Sequence, residues 1–205
     1  MRTQFSTLTT QYLEDLLRFR QVVVEVQELL SQRKRKPLNL TEFAILYVRG
    51  GRRVPLWIRS IAYKKSQHPN GNDDLELSQI QDICELLKDK ISYFSVVPKT
   101  KIGVLSLYLA GQLVARGQSL SDFAGVSLAT AHNWLRKSAD VGILEVFHSG
   151  HEIFYLHLDL IETVLEGHSS PIGQTRTRLQ SDLSELRNRS DWLAESSIAN
   201  FYGFQ

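Results

Sequence analysis

Along the first third of the chain, apolar positions recur with a helical period. Tyr12, Leu16, Phe19, Val23, Val26 and Leu30 are spaced 4, 3, 4, 3 and 4, a heptad-like seam that predicts one long helix. Such a seam wants a partner helix, in a second copy or in the same chain. Leu13, Leu17 and Val24 widen the stripe toward the second arrangement. Pro37 disfavours further helix. From Thr41, the run EFAILYVRGGRRVPLWIRSIAYKK predicts two short helices broken at Gly50-Gly51, with Pro55 in the first turn of the second. His68 to Asp74 is rich in turn formers. Ser78 then caps a helix to about Lys90 whose apolar residues include Ile80, Ile83, Leu86 and Leu87, and Pro98 marks a boundary.

The pattern is richest between Lys101 and Leu158. In KIGVLSLYLAGQLVARG, the residues Ile102, Leu105, Leu109, Leu113 and Arg116 step round a helix that Gly117 would stop. Ser119 with Asp122 three residues later predicts the capped start of a short helix with Phe123 and Ala124 inward. Ser127 caps a third helix, Leu128 to Val141, ending at Gly142. Leu128, Ala131, Trp134 and Leu135 are expected to face inward. Ile143 to His148 and His151 to His157 are β-rich runs joined by a hairpin signal at Ser149-Gly150. Leu158 to Leu165 reads as another helix, 167–173 as a linker, and Thr175 to Ala199 as a C-terminal helix with Leu179, Leu183, Leu186 and Leu193 on one stripe.

Three helices followed by a short hairpin resemble the winged helix-turn-helix superfamily, over about a quarter to a third of the chain. The resemblance implies that helix 128–141 enters a major groove while the hairpin, or wing, touches neighbouring backbone or minor groove. It implies DNA-binding roles for Ser127, Thr130, His132, Asn133, Arg136 and Lys137 on the helix and for His148 and His151 at the wing tip. The wing tip carries no Lys or Arg. The expected fold class is therefore mainly α: a helical N-terminal domain over 1–97, a winged helix-turn-helix with a short β-hairpin over 98–166, and a linker and C-terminal helix over 167–205.

Charge changes this picture. The net +2 hides a block, residues 33–65, with ten basic side chains against one acidic, whereas 98–166 carries five against seven. Phosphate neutralisation supplies much of the affinity for DNA. The block therefore nominates Arg33, Lys34, Arg35, Lys36, Arg49, Arg52, Arg53, Arg59, Lys64 and Lys65 as backbone-binding residues, beside Tyr47, Trp57 and Tyr63. The competing reading of Arg33 to Lys36 is a solvated helix end, where cations oppose the dipole.

Other chemistry finds little support. One cysteine, Cys84, excludes an intrachain disulfide framework and a Cys-rich zinc site, and its apolar neighbours suggest a buried thiol. His148, His151 and His157 lack the fourth ligand of a structural zinc site, and no serine sits in a nucleophile elbow. No catalytic residue, metal or cofactor is assigned. No apolar run reaches 18 residues and MRTQFSTLTTQ lacks the apolar core of a secretory signal, so a cytoplasmic protein with no membrane partner is expected.

The expected function is non-enzymatic: a sequence-recognising DNA-binding protein, a dimeric transcriptional regulator whose partners are double-stranded DNA and a second copy. The alternative is a winged-helix interaction subunit of a DNA-processing or defence assembly, with block 33–65 holding nucleic-acid backbone. In either case Trp192, Phe201, Tyr202 and Phe204 form a C-terminal aromatic tail that can dock a protein partner or cover the core.

Overall fold

A computed structural model of the chain describes residues 2–50, 77–149, 151–166, 174–189 and 202. The fold is mainly helical with one small antiparallel sheet. In order, the described elements are α1 (Arg2–Gln32), α2 (Leu40–Arg49), α3 (Leu77–Tyr93), a 3-10 turn (Lys99–Lys101), α4 (Ile102–Ala110), β1 (Val114–Ala115), α5 (Gly117–Ala124), α6 (Leu128–Asp140), β2 (Glu145–Ser149), β3 (Glu152–Leu156), α7 (Leu158–Glu166) and α8 (Gln174–Asn188). Contacts divide the chain into two units: Met1–Leu16 with Leu75–Val164, and Leu17–Asp74 with Leu165–Gln205. No described helix is long and apolar enough to cross a membrane.

The first unit holds the sheet, in the order β1-β3-β2 with both pairs antiparallel. β2 and β3 pair from Glu145 opposite Leu156 to Ser149 opposite Glu152, so Ser149, expected in the turn, is the last residue of β2. β1 pairs Val114 with Leu156 and Ala115 with Tyr155, so two residues between the first two helices of this region anchor the hairpin root. The helix expected to run from Lys101 to Gly117 therefore ends at Ala110, and Val114 is strand. The cause is distant in sequence: a Cβ on Gly111 would fall on the Tyr12 ring, and the Leu113 carbonyl accepts the His157 N–H at 3.0 Å. Gly117 opens α5 instead of closing α4, and Arg116, not Ser119, occupies the cap position. α3 packs along α4, and its Cys84 is buried, which pushes the thiol up in pKa.

In the second unit, α2 is buried from Leu40 to Tyr47 and lies against α8, whose Leu179, Leu183 and Leu186 are buried. Phe19, Phe43 and Tyr47 form an aromatic cluster with centroids 5.4 to 6.2 Å apart. All six seam residues of α1, Tyr12 to Leu30, are buried in the chain itself. A polar network surrounds the start of α2. Asn39 caps it by accepting the Glu42 N–H at 2.9 Å, Asp182 Oδ2 accepts the Leu40 N–H at 2.7 Å, and the Arg178 guanidinium donates to the Leu38 carbonyl at 2.9 Å.

Burial pushes the Asp182 carboxyl from 3.8 up to about 6, against the lowering effect of the Leu40 N–H and Arg178. A carboxyl raised in the folded state binds its proton more tightly there, so stability falls as pH rises between 3.8 and about 6. Asp182→Asn keeps an oxygen for the Leu40 N–H. It is expected to raise stability at pH 7 by about 2 kcal/mol, a value reduced for partial solvent screening. It should also flatten the pH 4 to 6 dependence of the urea midpoint; a midpoint that falls at pH 7 would refute the assignment.

Four helices end in the same turn. The residue after a left-handed position returns its N–H to the carbonyl five residues earlier: Arg35 to Leu30, Val96 to Ile91, Val126 to Ser121 and Ile143 to Ser138. The left-handed residue is Gly125 or Gly142 in two of them but Lys34 or Ser95, each at φ 51°, in the others. A Cβ is disfavoured there. Lys34→Gly and Ser95→Gly are each expected to stabilise by about 0.5–1 kcal/mol, after the larger unfolded-state entropy of glycine is subtracted. Thermal denaturation checks both, and two lowered midpoints would contradict the mechanism.

Candidate nucleic-acid interface

α6 owes its position to both of its ends. Gly125, at φ 61°, turns the chain out of α5; Ser127 then caps α6, its Oγ accepting the Thr130 N–H at 3.2 Å. At the other end Gly142, at φ 76°, allows the chain to turn back into the hairpin. One face of α6, Ala131, Trp134, Leu135 and Ser138, is buried, and the Ser138 hydroxyl is satisfied by the Trp134 carbonyl at 2.9 Å. The opposite line is Ala129, Asn133, Arg136 and Asp140, with Thr130 and Lys137 on one flank. Ala129, Arg136 and Lys137 are exposed and Asn133 is half-buried. Leu128, expected inward, stands three and seven residues before the buried Ala131 and Leu135, yet at the first position of the helix it is 44% exposed.

The site residues expected from sequence fall into distinct situations. Arg136 Nη2 donates to Asn133 Oδ1 at 3.2 Å, so these two act together. The Ser127 and Thr130 hydroxyls bond each other at 2.8 Å as part of the cap. A Cβ on Gly117 would fall on the His132 imidazole, which places that ring between α5 and α6 as a packing element. His148 and His151 are exposed at the hairpin tip. Arg33, Lys34, Arg35 and Lys36 follow α1 and are exposed, Lys36 in an ion pair with Glu185; Arg49 is exposed in the last turn of α2. Arg52, Arg53, Arg59, Lys64 and Lys65 lie outside the described residues.

Two positioning groups escaped the sequence reading. Arg116 leads from β1 into α5, reaches Glu152 Oε1 at 3.4 Å and stands 5.9 Å over the Phe154 ring, tying the start of β3 to the helices. His157, buried, places Nδ1 3.2 Å from the Leu109 carbonyl at the end of α4. That carbonyl only accepts, so Nδ1 carries the proton. Behind them Phe147 and Phe154 pair across the hairpin and are buried, and Tyr155 is buried near Arg136, its phenol pushed up by burial and lowered in part by that cation. The hairpin is thus rooted on its inner face and open at its tip. Among the described residues no group of His, Cys, Asp or Glu is placed to hold a metal ion. Compared with protein-family models, curated proteins and solved structures, the chain matches none.

Proposed function

We propose that this chain is a DNA-binding protein built on a winged helix-turn-helix, in which α6 enters the major groove and the β2-β3 hairpin is the wing. The observation that carries the reading is the division of α6 into a buried face and an exposed face bearing the Asn133-Arg136 pair with Lys137 beside it. A helix so presented fits the width of a major groove, and forked donors suit base edges and phosphates. The pairing of β1 with β3 supports the same reading, since it fixes the wing to the three-helix core. Sequence-selective binding by two copies, acting as a transcriptional regulator in the cytoplasm, completes the proposal.

The test is selection of bound sequences from a random duplex pool, followed by affinity measurement. The double substitution Arg136→Ala, Lys137→Ala is expected to weaken binding to the enriched duplex by about 10- to 100-fold, given the usual worth of such contacts. The thermal midpoint should hardly move, because both side chains are exposed. Unchanged affinity would remove α6 as the reading helix, and a consensus with dyad symmetry is the result expected of a dimer. A second reading, in which the winged helix docks a protein and the basic block holds nucleic-acid backbone, is favoured by the exposure of Arg33, Lys34 and Arg35. Its mark is binding to random duplex with a steep salt slope that weakens when those three are replaced.

A further inference from the structure

The Asn133-Arg136 hydrogen bond has a consequence for what α6 can read. A guanidinium has donors and no acceptor, so the amide atom facing Arg136 Nη2 is the Asn133 oxygen, as the 3.2 Å contact has it. Asparagine recognises adenine by using both amide ends, the oxygen accepting from N6 and the nitrogen donating to N7. With one lone pair of its oxygen taken by Arg136, Asn133 presents two Nδ2 donors against a single remaining acceptor site, and Arg136 adds its remaining N–H groups. The centre of the exposed face is therefore rich in donors, and the acid of the line, Asp140, lies one turn further along. The hydroxyls of Ser127 and Thr130, which could supply acceptors, are engaged with each other at the cap, and the His132 ring is packed against Gly117. Toward the N-terminus of α6 the exposed groups are apolar: Ala129 on the same line, and Leu128 before it at the helix start, 44% exposed.

Donors select acceptors. Guanine presents two in the major groove, N7 and O6, whereas the N6 amino group of adenine and the N4 amino group of cytosine would oppose donor to donor. An exposed apolar group in a polar groove finds its best contact on the C5 methyl of thymine. Resting on the DNA-binding reading above, we infer that α6 is specific for duplexes carrying guanine opposite Asn133 and Arg136 and a thymine methyl against Ala129 and Leu128. Ala129 and Arg136 are seven residues apart, about 10 Å along a helix, which sets the thymine and the guanine roughly two to three base pairs apart. Leu128 and Asn133 are thus specificity-determining residues, the first through a methyl contact and the second through the orientation of its amide.

The experiment uses the full chain and the duplex enriched from a random pool. Replacing the thymine by uracil, which removes only the methyl, is expected to weaken binding several-fold, and the Leu128→Ser variant should lose most of this discrimination. Replacing the guanine by 7-deazaguanine, which removes the N7 acceptor, should cost about tenfold, in line with the discrimination carried by such contacts. The Arg136→Ala variant should be indifferent to that change. If no sequence is enriched, the DNA-reading proposal falls and this inference with it. If a consensus emerges that is adenine-rich at the α6 contact, or whose binding is indifferent to both base analogues, the donor-face assignment is overturned while DNA reading stands.

Discussion

Replacing Arg189 with alanine is expected to destabilise the fold by about 3–5 kcal/mol, the cost of leaving a buried carboxylate without its cation. Arg189 Nη1 lies 3.1 Å from Glu42 Oε2, and the two side chains are 12% and 2% exposed. The same oxygen accepts the Tyr202 hydroxyl at 3.3 Å, and that hydroxyl in turn accepts the Asn39 N–H at 2.7 Å. Glu42 Oε1 is buried with no hydrogen-bond partner among the described residues. Burial pushes the Glu42 carboxyl above 4.5, and the charge and hydrogen bond of Arg189 are the main opposing influences. Without them its pKa rises further. The folded state of Arg189→Ala then binds the proton more tightly than the unfolded chain over a window opening near 4.5, and stability declines as pH rises through it. Urea unfolding should therefore show a greater loss at pH 8 than at pH 5, and Glu42→Gln in the Arg189→Ala background should recover part of it. A loss under about 1 kcal/mol, the same at both pH values, would mean that the pair is solvated and of surface-pair strength.

None of that network is legible from sequence. Glu42 is the one acid in a basic block, and the groups that satisfy it, Arg189 and Tyr202, come 147 and 160 residues later. Local patterning cannot report a hydrogen bond closed over such a distance. What local patterning does report is sound: the α1 seam from Tyr12 to Leu30 is buried throughout, and α6 runs between its Ser127 cap and the Gly142 turn. Two expectations in the same region differ from the structure. The extension of α4 through Leu113 and Arg116 followed an apolar period that the chain continues after its helix has ended, because strand pairing to β3 and the Tyr12 ring decide the end. Helical spacing puts Leu128 on the side of the buried Ala131 and Leu135, and its 44% exposure at the first position of α6 is a matter of tertiary cover that spacing does not report. At the candidate site, Asn133, Arg136 and Lys137 could be named from a polar face at helical spacing. Arg116 could not, because its partners Glu152 and Phe154 lie 36 and 38 residues downstream in a hairpin that only the fold brings back.

The end of α4 yields the second large expected effect. Gly111→Ala should cost about 2–3 kcal/mol, the range of an overpacked core. Gly111 sits at φ −109°, ψ 1°, which alanine adopts without strain, so any loss must come from the methyl itself. That methyl would enter the Tyr12 ring near its attachment point, where a rotamer change cannot clear it. The turn is not free to move aside: its Gly111 and Gln112 N–H groups are bonded to Tyr108 and Leu109, and β1 begins two residues later, in register with β3. Tyr12→Ala removes the obstacle, and alone it should cost about 3 kcal/mol as a large-to-small change of a buried aromatic. In that background the added methyl occupies vacated space. The double variant should then be about as stable as Tyr12→Ala alone, a coupling of about 2 kcal/mol between the two sites. Additive losses would show that glycine is required at 111 for some reason other than the ring, and would detach the root of the hairpin from α1.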